Sequence, residues 1–211
     1  MMTTLKKPEF LQYPCGGSGT CFGCDQEWFP GFWQRKAGCG PCAGANLLLY
    51  LARTNRLTLP LDVKTRADFI SLMEITWKYL TPTMMGLNSV WLMQKGLDTF
   101  FLQRNTGLKS RVLDIPADTG SRPQGLEVED FIRAGLLAES PVAFLNLSNG
   151  GIKGLDSWHW VTVVGLSGAG KETQLLIYDN GHQIRVDLTL WLRATTRGGG
   201  FVYADTPDPH S

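Results

Sequence analysis

The sequence has no long apolar run: no stretch approaches the ~18 continuous apolar residues of a membrane-spanning helix. Its N-terminus carries two lysines that no apolar segment follows, so a secretory signal is not expected. It also has no excess of charge of either sign, because the formal net charge is +1 and the basic residues are spread along the chain. These absences argue against membrane contact and against a dedicated nucleic-acid binder, and they predict a cytoplasmic protein.

Cysteine and histidine are both scarce, with five cysteines and three histidines in 211 residues. An odd number of cysteines in a chain without an export signal argues against a disulfide framework and favours free, catalytic or metal-bound thiols. Two histidines stand in poor surroundings for chemistry, since His210 lies in the polar C-terminal tail and His182 in a turn-like Asp-Asn-Gly-His stretch. His159 is therefore the candidate base or ligand.

The apolar content of 43% is enough for one ordinary domain with a sizeable core. We predict an irregular segment rich in cysteine and glycine over 1–31, a domain over 32–205 and a polar tail over 206–211. Apolar periodicity predicts helices in the first half of the domain and mainly strands in the second, an α+β arrangement. One predicted helix begins at Pro41, others cover 65–80, 83–104 and 126–137, and a helical turn is expected over 187–195. Predicted strands cover 110–115, 141–147, 159–166, 173–179, 183–188 and 200–205.

The four residues Cys39-Gly-Pro-Cys42 admit three interpretations. The first is a dithiol redox pair at a helix N-terminus, although the residues before Cys39 do not form the buried strand that a thioredoxin-like βαβ unit needs. The second is a structural zinc site, because Cys21–Cys24 and Cys39–Cys42 are two C-x-x-C pairs separated by fourteen residues, close to the spacing of a four-thiolate site. Cys15 could replace one of these ligands.

The third interpretation makes Cys39 a nucleophile, and three other positions support it. His159 opens an alternating strand, and Asp179 ends the next one, so adjacent antiparallel strands would bring the two side chains together. Gln34 lies five residues before Cys39 and could donate its amide to an oxyanion. A thiol, a base, an orienting carboxylate and an oxyanion donor make a complete set for acyl transfer.

The same stretches carry a family resemblance. FWQRKAGCGPCAGANLLLYL, SWHWVTVVGL and LLIYDNG, in this order, resemble the papain-like cysteine peptidases, and within them the bacterial branch of double-glycine leader peptidases. The resemblance implies a papain-like fold, in which an N-terminal helical half with a central nucleophile helix packs on a C-terminal antiparallel sheet. Carried over by position, it implies Cys39 as nucleophile, His159 as base, Asp179 as orienter and Gln34 as oxyanion donor.

This chain departs from the pattern of the branch at Cys42, where the branch usually has threonine or a small residue. The Cys-Gly-Pro motif and the position of Gln34 both favour Cys39 over Cys42 as nucleophile. We thus expect a cysteine-dependent hydrolase, a peptidase or amidase, with no cofactor and a peptide, amide or thioester substrate; acyl transfer to another acceptor than water stays open. The rival expectation is an interaction domain stabilised by zinc on Cys21, Cys24, Cys39 and Cys42, and a C-x-x-C redox protein is the third.

Overall fold

A computed structural model describes residues 2–15 and 19–207. Within these residues the chain forms six α-helices and nine β-strands, besides short 3-10 turns. The helices are α1 (Phe32–Ala37), α2 (Cys39–Arg53), α3 (Arg66–Tyr79), α4 (Val90–Gln103), α5 (Gly125–Leu137) and α6 (Leu188–Ala194). The strands are β1 (Met2–Thr4), β2 (Gln12–Pro14), β3 (Thr20–Phe22), β4 (Lys109–Ile115), β5 (Val142–Asn146), β6 (His159–Ser167), β7 (Gln174–Asp179), β8 (His182–Asp187) and β9 (Gly199–Asp205). His210 and most of the predicted tail lie outside the described residues.

Seven strands form one sheet in the order β4-β9-β5-β6-β7-β8, and β1 pairs with the far end of β6. All the pairs in this sheet are antiparallel. The predicted α+β class is confirmed at this level. The strand predicted over 110–115 is β4, which precedes α5 as predicted and pairs with the last strand, β9.

The central helix α2 is buried along most of its length, since residues 40–51 are all buried. Two apolar clusters meet at this helix: Leu49 and Tyr50 belong to the one that contains Phe144 and Trp191. Leu47 and Leu48 belong to the other, which contains Phe100. A run of consecutive leucines suits this position because it presents apolar side chains to both clusters at once.

The start of α4 differs from the sequence-based boundary. The helix predicted over 83–104 begins at Val90, where the Ser89 hydroxyl accepts a hydrogen bond from the N–H of Trp91. The preceding residues form a tight turn in which Thr83 and Gly86 exchange backbone hydrogen bonds of 3.1 and 2.9 Å. Apolar residues in this turn, Met84 and Met85, imitate helical periodicity without being helical.

The N-terminal segment is more regular than predicted, because β1 joins the main sheet and β2 pairs with β3 in a hairpin. A disulfide joins Cys15 to Cys21 across this hairpin. The expectation that the cysteines are free or metal-bound is wrong for this pair. The hairpin register and a 2.9 Å hydrogen bond from the Cys15 N–H to the Gly19 carbonyl bring the two Cα atoms to 5.4 Å, within disulfide range.

Among the helices described, none combines the length and the apolar character needed to span a membrane.

The disulfide gives a test of the N-terminal hairpin. We expect three reactive thiols in the denatured, unreduced protein and five after reduction, because Cys24, Cys39 and Cys42 are free. Replacing both Cys15 and Cys21 by serine should lower the free energy of unfolding by about 2 kcal/mol, the value for closing a loop of this length. Thiol titration and urea denaturation measure the two effects. The wild-type protein in reductant is the control, and five thiols without reduction would contradict the pairing.

Candidate active site

Cys39 is the first residue of α2, and its side chain is half-buried at a cavity of about 290 Å³. The backbone N–H groups in the first turn of a helix have no partner within the helix, and the helix dipole favours negative charge there. A thiolate or an oxyanion is stabilised at such a position. Larger cavities of about 390, 550 and 570 Å³ lie elsewhere among the described residues, and Cys39 lines none of them.

Two glycines allow the close approaches around Cys39. A Cβ atom on Gly38 would lie 2.6 Å from a ring carbon of Phe29. A Cβ atom on Gly40 would lie 2.7 Å from the Leu87 side chain and 3.3 Å from Trp160. A larger residue at Gly38 would therefore push the start of α2 away from Phe29, and one at Gly40 would push it away from the sheet and from the loop before α4.

His159 and Asp179 lie together at one end of the sheet. The Nε2–H of His159, the first residue of β6, donates to Oδ1 of Asp179, the last residue of β7, over 2.7 Å. Both side chains are more than nine-tenths buried, at 8% and 9% exposed. The carboxylate therefore fixes the orientation of the imidazole and leaves its Nδ1 atom as the nitrogen available to the thiol.

The pKa of His159 is raised from its ordinary value of 6.5 to about 10. Burial by itself lowers this pKa, because it disfavours the charged ring. Hydrogen bonding to Asp179 and the interaction with the Cys39 side chain both favour the protonated ring, and together they outweigh burial. His159 is thus hydrogen-bonded to Asp179, and it lies close enough to Cys39 for that side chain to affect the pKa of the ring.

Cys42 does not line the cavity at Cys39. It is buried one turn further into α2, and burial together with the neighbouring Cys24 raises the pKa of its thiol well above the usual value. The Cys24 thiol donates to the Cys42 carbonyl oxygen over 3.2 Å. Of the two cysteines in the Cys-Gly-Pro-Cys motif, Cys39 is the one that lines the cavity and affects the pKa of His159.

Gln34 lies on α1, the short helix that leads into α2. Its Oε1 atom accepts a hydrogen bond from the N–H of Gly31 over 3.0 Å, which closes the first turn of α1. This bond orients the amide so that its NH₂ group is the end left to donate. The short helix itself was not predicted, because its apolar residues Phe32 and Trp33 face solvent and give no amphipathic pattern.

The four-thiolate zinc site of the rival interpretation does not form. Cys21 is bonded to Cys15, and no group of three or more possible metal ligands occurs within residues 2–15 and 19–207. The hairpin carries Cys21 away from α2, whereas Cys24 reaches it. The redox interpretation requires a strand directly before Cys39, whereas helix α1 precedes it.

The cavity at Cys39 has aromatic and sulfur-containing walls to which sequence reasoning gave no role. Trp33, Met84, Met85 and Trp158 line it, and all four are well exposed. Trp158, directly before His159, has a backbone φ of +59°, a left-handed conformation that is rare for a bulky residue. The sequence contains no signal for this conformation. The turn that carries Met84 and Met85 could have been recognised from Gly86, which has φ of +74°.

Comparison with models of known protein families finds no match for this chain, and comparison with curated proteins finds none either.

The His159–Asp179 pair predicts a pH dependence of stability. The pKa of His159 in the folded protein is above its ordinary value, so the protonated ring stabilises the fold fully below about pH 6.5, and this contribution is lost as pH rises towards about 10. Replacing Asp179 by asparagine should lower the ring pKa. The difference in unfolding free energy between wild type and this variant should therefore shrink from neutral pH towards pH 10.

Two measurements check this prediction. NMR titration of the His159 ring should show it protonated through neutral pH in the wild type, and urea denaturation across the same range should show the shrinking difference. A His182→Ala variant identifies the signal of the exposed histidine, which lies at the start of β8. A wild-type His159 ring that titrates near 6.5, unchanged by Asp179→Asn, would contradict the assignment.

Proposed function

We propose that this protein is a cysteine-dependent hydrolase of papain-like architecture, with Cys39 as nucleophile, His159 as base, Asp179 as orienting carboxylate and Gln34 as oxyanion donor. One observation carries the proposal. A buried imidazole is bonded to Asp179 over 2.7 Å, and its pKa responds to the side chain of Cys39, a half-buried cysteine at the N-terminus of a buried helix. A structural histidine needs the carboxylate but has no need of a thiol at the mouth of a cavity.

The chemistry follows from these positions. Cys39 and His159 share one proton as a thiolate–imidazolium pair, and the thiolate attacks the carbonyl carbon of an amide, forming a C–S bond. The carbonyl oxygen becomes an oxyanion, which the amide of Gln34 and the backbone N–H of Cys39 stabilise. His159 then gives its proton to the leaving amine as the C–N bond breaks.

The acyl-enzyme is released by the reverse of these proton transfers. A water molecule loses a proton to His159 and attacks the thioester, and the thiol of Cys39 leaves with that proton. An amine in place of water would give acyl transfer by the same steps. Asp179 keeps the imidazole oriented throughout and exchanges no proton itself.

The architecture supports a papain-like relation as part of this proposal. A helix that begins at the nucleophile packs against an antiparallel sheet whose strands supply the base and its carboxylate. The cleft between them contains the thiol, as expected for a site assembled between two layers. A relation to the double-glycine leader peptidases rests on the sequence motifs around Cys39, His159 and Asp179, and it is the narrower form of the proposal.

Thiol reactivity tests the nucleophile without any knowledge of the substrate. Limiting iodoacetamide at pH ~6 should alkylate Cys39 in preference to Cys24 and Cys42, because both of these are buried and an unpaired thiol reacts slowly there. Peptide mapping by mass spectrometry gives the site. The preference should disappear in His159→Ala, and Cys42→Ala is the matched control that should keep it. Labelling of Cys42 instead of Cys39 would refute the assignment.

Once a turnover assay exists, two variants separate the roles. Cys39→Ala should abolish turnover and leave the fold intact by circular dichroism, because the side chain is small and only partly buried. Gln34→Ala should lower kcat by roughly 10²-fold, the usual cost of one oxyanion donor. Gln103→Ala is the matched control, since Gln103 is exposed at the end of α4. Full turnover in Cys39→Ala would overturn the proposed function.

A further inference from the structure

Four large apolar side chains surround the opening of the cavity at Cys39. Met84 is 93% exposed, Met85 62%, Trp33 49% and Trp158 42%. Monomeric proteins rarely leave a contiguous group of such side chains in water unless it binds something. We call these four residues the apolar rim. Among the described residues, the linings of the cavities of about 390, 550 and 570 Å³ contain no exposed tryptophan or methionine.

Hydrogen bonds fix the backbone that carries the two methionines of the rim. Met84 and Met85 lie in the turn that Thr83 and Gly86 close with two backbone hydrogen bonds. The Thr83 hydroxyl adds two more, accepting from the Met85 N–H over 3.1 Å and donating to the Gly86 carbonyl over 2.9 Å. One residue further on, the Leu87 carbonyl accepts from the indole N–H of Trp160. The turn is therefore fastened to the strand that carries His159, and the methionines are held out at the cavity.

The opposite side of the rim is held in a comparable way. Trp158 has the left-handed backbone noted above, and the Arg197 guanidinium lies 5.2 Å from the centre of its ring. A strained backbone of this kind persists only where the surrounding structure enforces it. The conformation places a broad aromatic face at the cavity, one residue from the base of the reaction.

Two cationic side chains lie at the rim. Lys36 is the charged residue among those that line the cavity, and Arg197 stacks on Trp158. Both are exposed, and within the described part of the chain neither makes a salt bridge. An apolar cavity with cationic edges favours a ligand that is apolar in the middle and negatively charged at its side.

Resting on the proposed hydrolase function, we propose that the substrate carries a bulky apolar side chain beside the bond that is cleaved and a carboxylate next to that side chain. The apolar group occupies the cavity between Met84, Met85, Trp33 and Trp158, and the carboxylate lies near Lys36 and Arg197. The Gly-Gly junction that a resemblance to double-glycine leader peptidases implies as a substrate offers no side chain to fill a cavity of about 290 Å³. Selectivity thus comes from the apolar rim in addition to the fit of the backbone at Cys39.

Peptidyl chloromethyl ketones test this selectivity, because they alkylate an active-site thiol irreversibly and need no known substrate. The probes are a Gly-Gly chloromethyl ketone, the same compound with phenylalanine at either position, and the faster phenylalanine probe extended by glutamate or by glutamine. The readout is the second-order rate of Cys39 modification by mass spectrometry, with the iodoacetamide rate measured in parallel. We expect one phenylalanine probe to react about tenfold faster than Gly-Gly or more, and glutamate to exceed glutamine by about threefold at low salt.

Variants assign the effects to residues. A Met84→Ala, Met85→Ala double variant should lose most of the phenylalanine preference, whereas Leu137→Ala, which removes an exposed leucine on α5, should keep it. Lys36→Gln should reduce the preference for glutamate over glutamine, because Arg197 remains, and Lys95→Gln, which changes an exposed lysine on α4, should leave it unchanged. Dividing each rate by the iodoacetamide rate of the same variant removes any change in the thiol itself.

The two failures can be told apart. If Cys39 reacts readily with iodoacetamide but the Gly-Gly and phenylalanine probes react at equal rates, the substrate inference is overturned and the proposed function stands. If Cys39 fails to react with iodoacetamide and with every probe, both are overturned. A phenylalanine preference that survives the double methionine variant also overturns the inference, because it places the selectivity outside the apolar rim.

Discussion

The burial of α2 is the constraint on which the site depends. Asn46, near the middle of this helix, accepts from the Cys24 N–H over 3.0 Å and donates to the Thr162 hydroxyl over 2.9 Å. Leaving such buried groups unpaired costs about 1–3 kcal/mol each, so the helix cannot slide or rotate against the sheet without a large penalty. Thr162 belongs to β6, three residues after His159. The same hydrogen bond that fixes the helix therefore fixes the position of the Cys39 thiol relative to the His159 ring.

A tight turn between β7 and β8 positions the carboxylate of Asp179. Asn180 and Gly181 both have positive φ, at 45° and 77°, as the two central residues of a tight β-hairpin turn require. Asp179 is thus paired directly across from His182, and it still presents its side chain to His159. The two roles of Asp179, in the turn and as acceptor, do not compete, because the first uses its backbone and the second its side chain.

The N-terminal hairpin supports this turn from outside the sheet. The N–H of Phe22 donates to the carbonyl of Gly181 over 2.9 Å, and the Phe22 ring lies 5.2 Å from that of Tyr178. The disulfide between Cys15 and Cys21 closes the hairpin one residue before Phe22. Chain segments more than 150 residues apart therefore share the task of positioning Asp179, and the hairpin belongs to the architecture of the site.

The sequence predicted the elements whose pattern is local and missed those that depend on distant partners. The helix expected over 65–80 is Arg66–Tyr79, and the one over 126–137 is Gly125–Leu137, because apolar periodicity and capping residues act within a few turns. The pairing of β4 with β9 and the disulfide were not predicted, since both depend on contacts that the fold creates. The residues proposed for catalysis lay in local motifs, whereas the left-handed Trp158 beside them carried no signal.

The five cysteines differ in oxidation state and in burial. Cys15 and Cys21 are oxidised, Cys24 and Cys42 are buried thiols, and Cys39 alone is a half-buried thiol at a cavity. A disulfide is typical of oxidising compartments, so the cytoplasmic location predicted from the sequence stays a prediction and the disulfide counts against it. Oxidation of a thiol follows its thiolate character and its exposure. Cys24 and Cys42 are shielded by burial, so the half-buried Cys39 is the free thiol most open to oxidants.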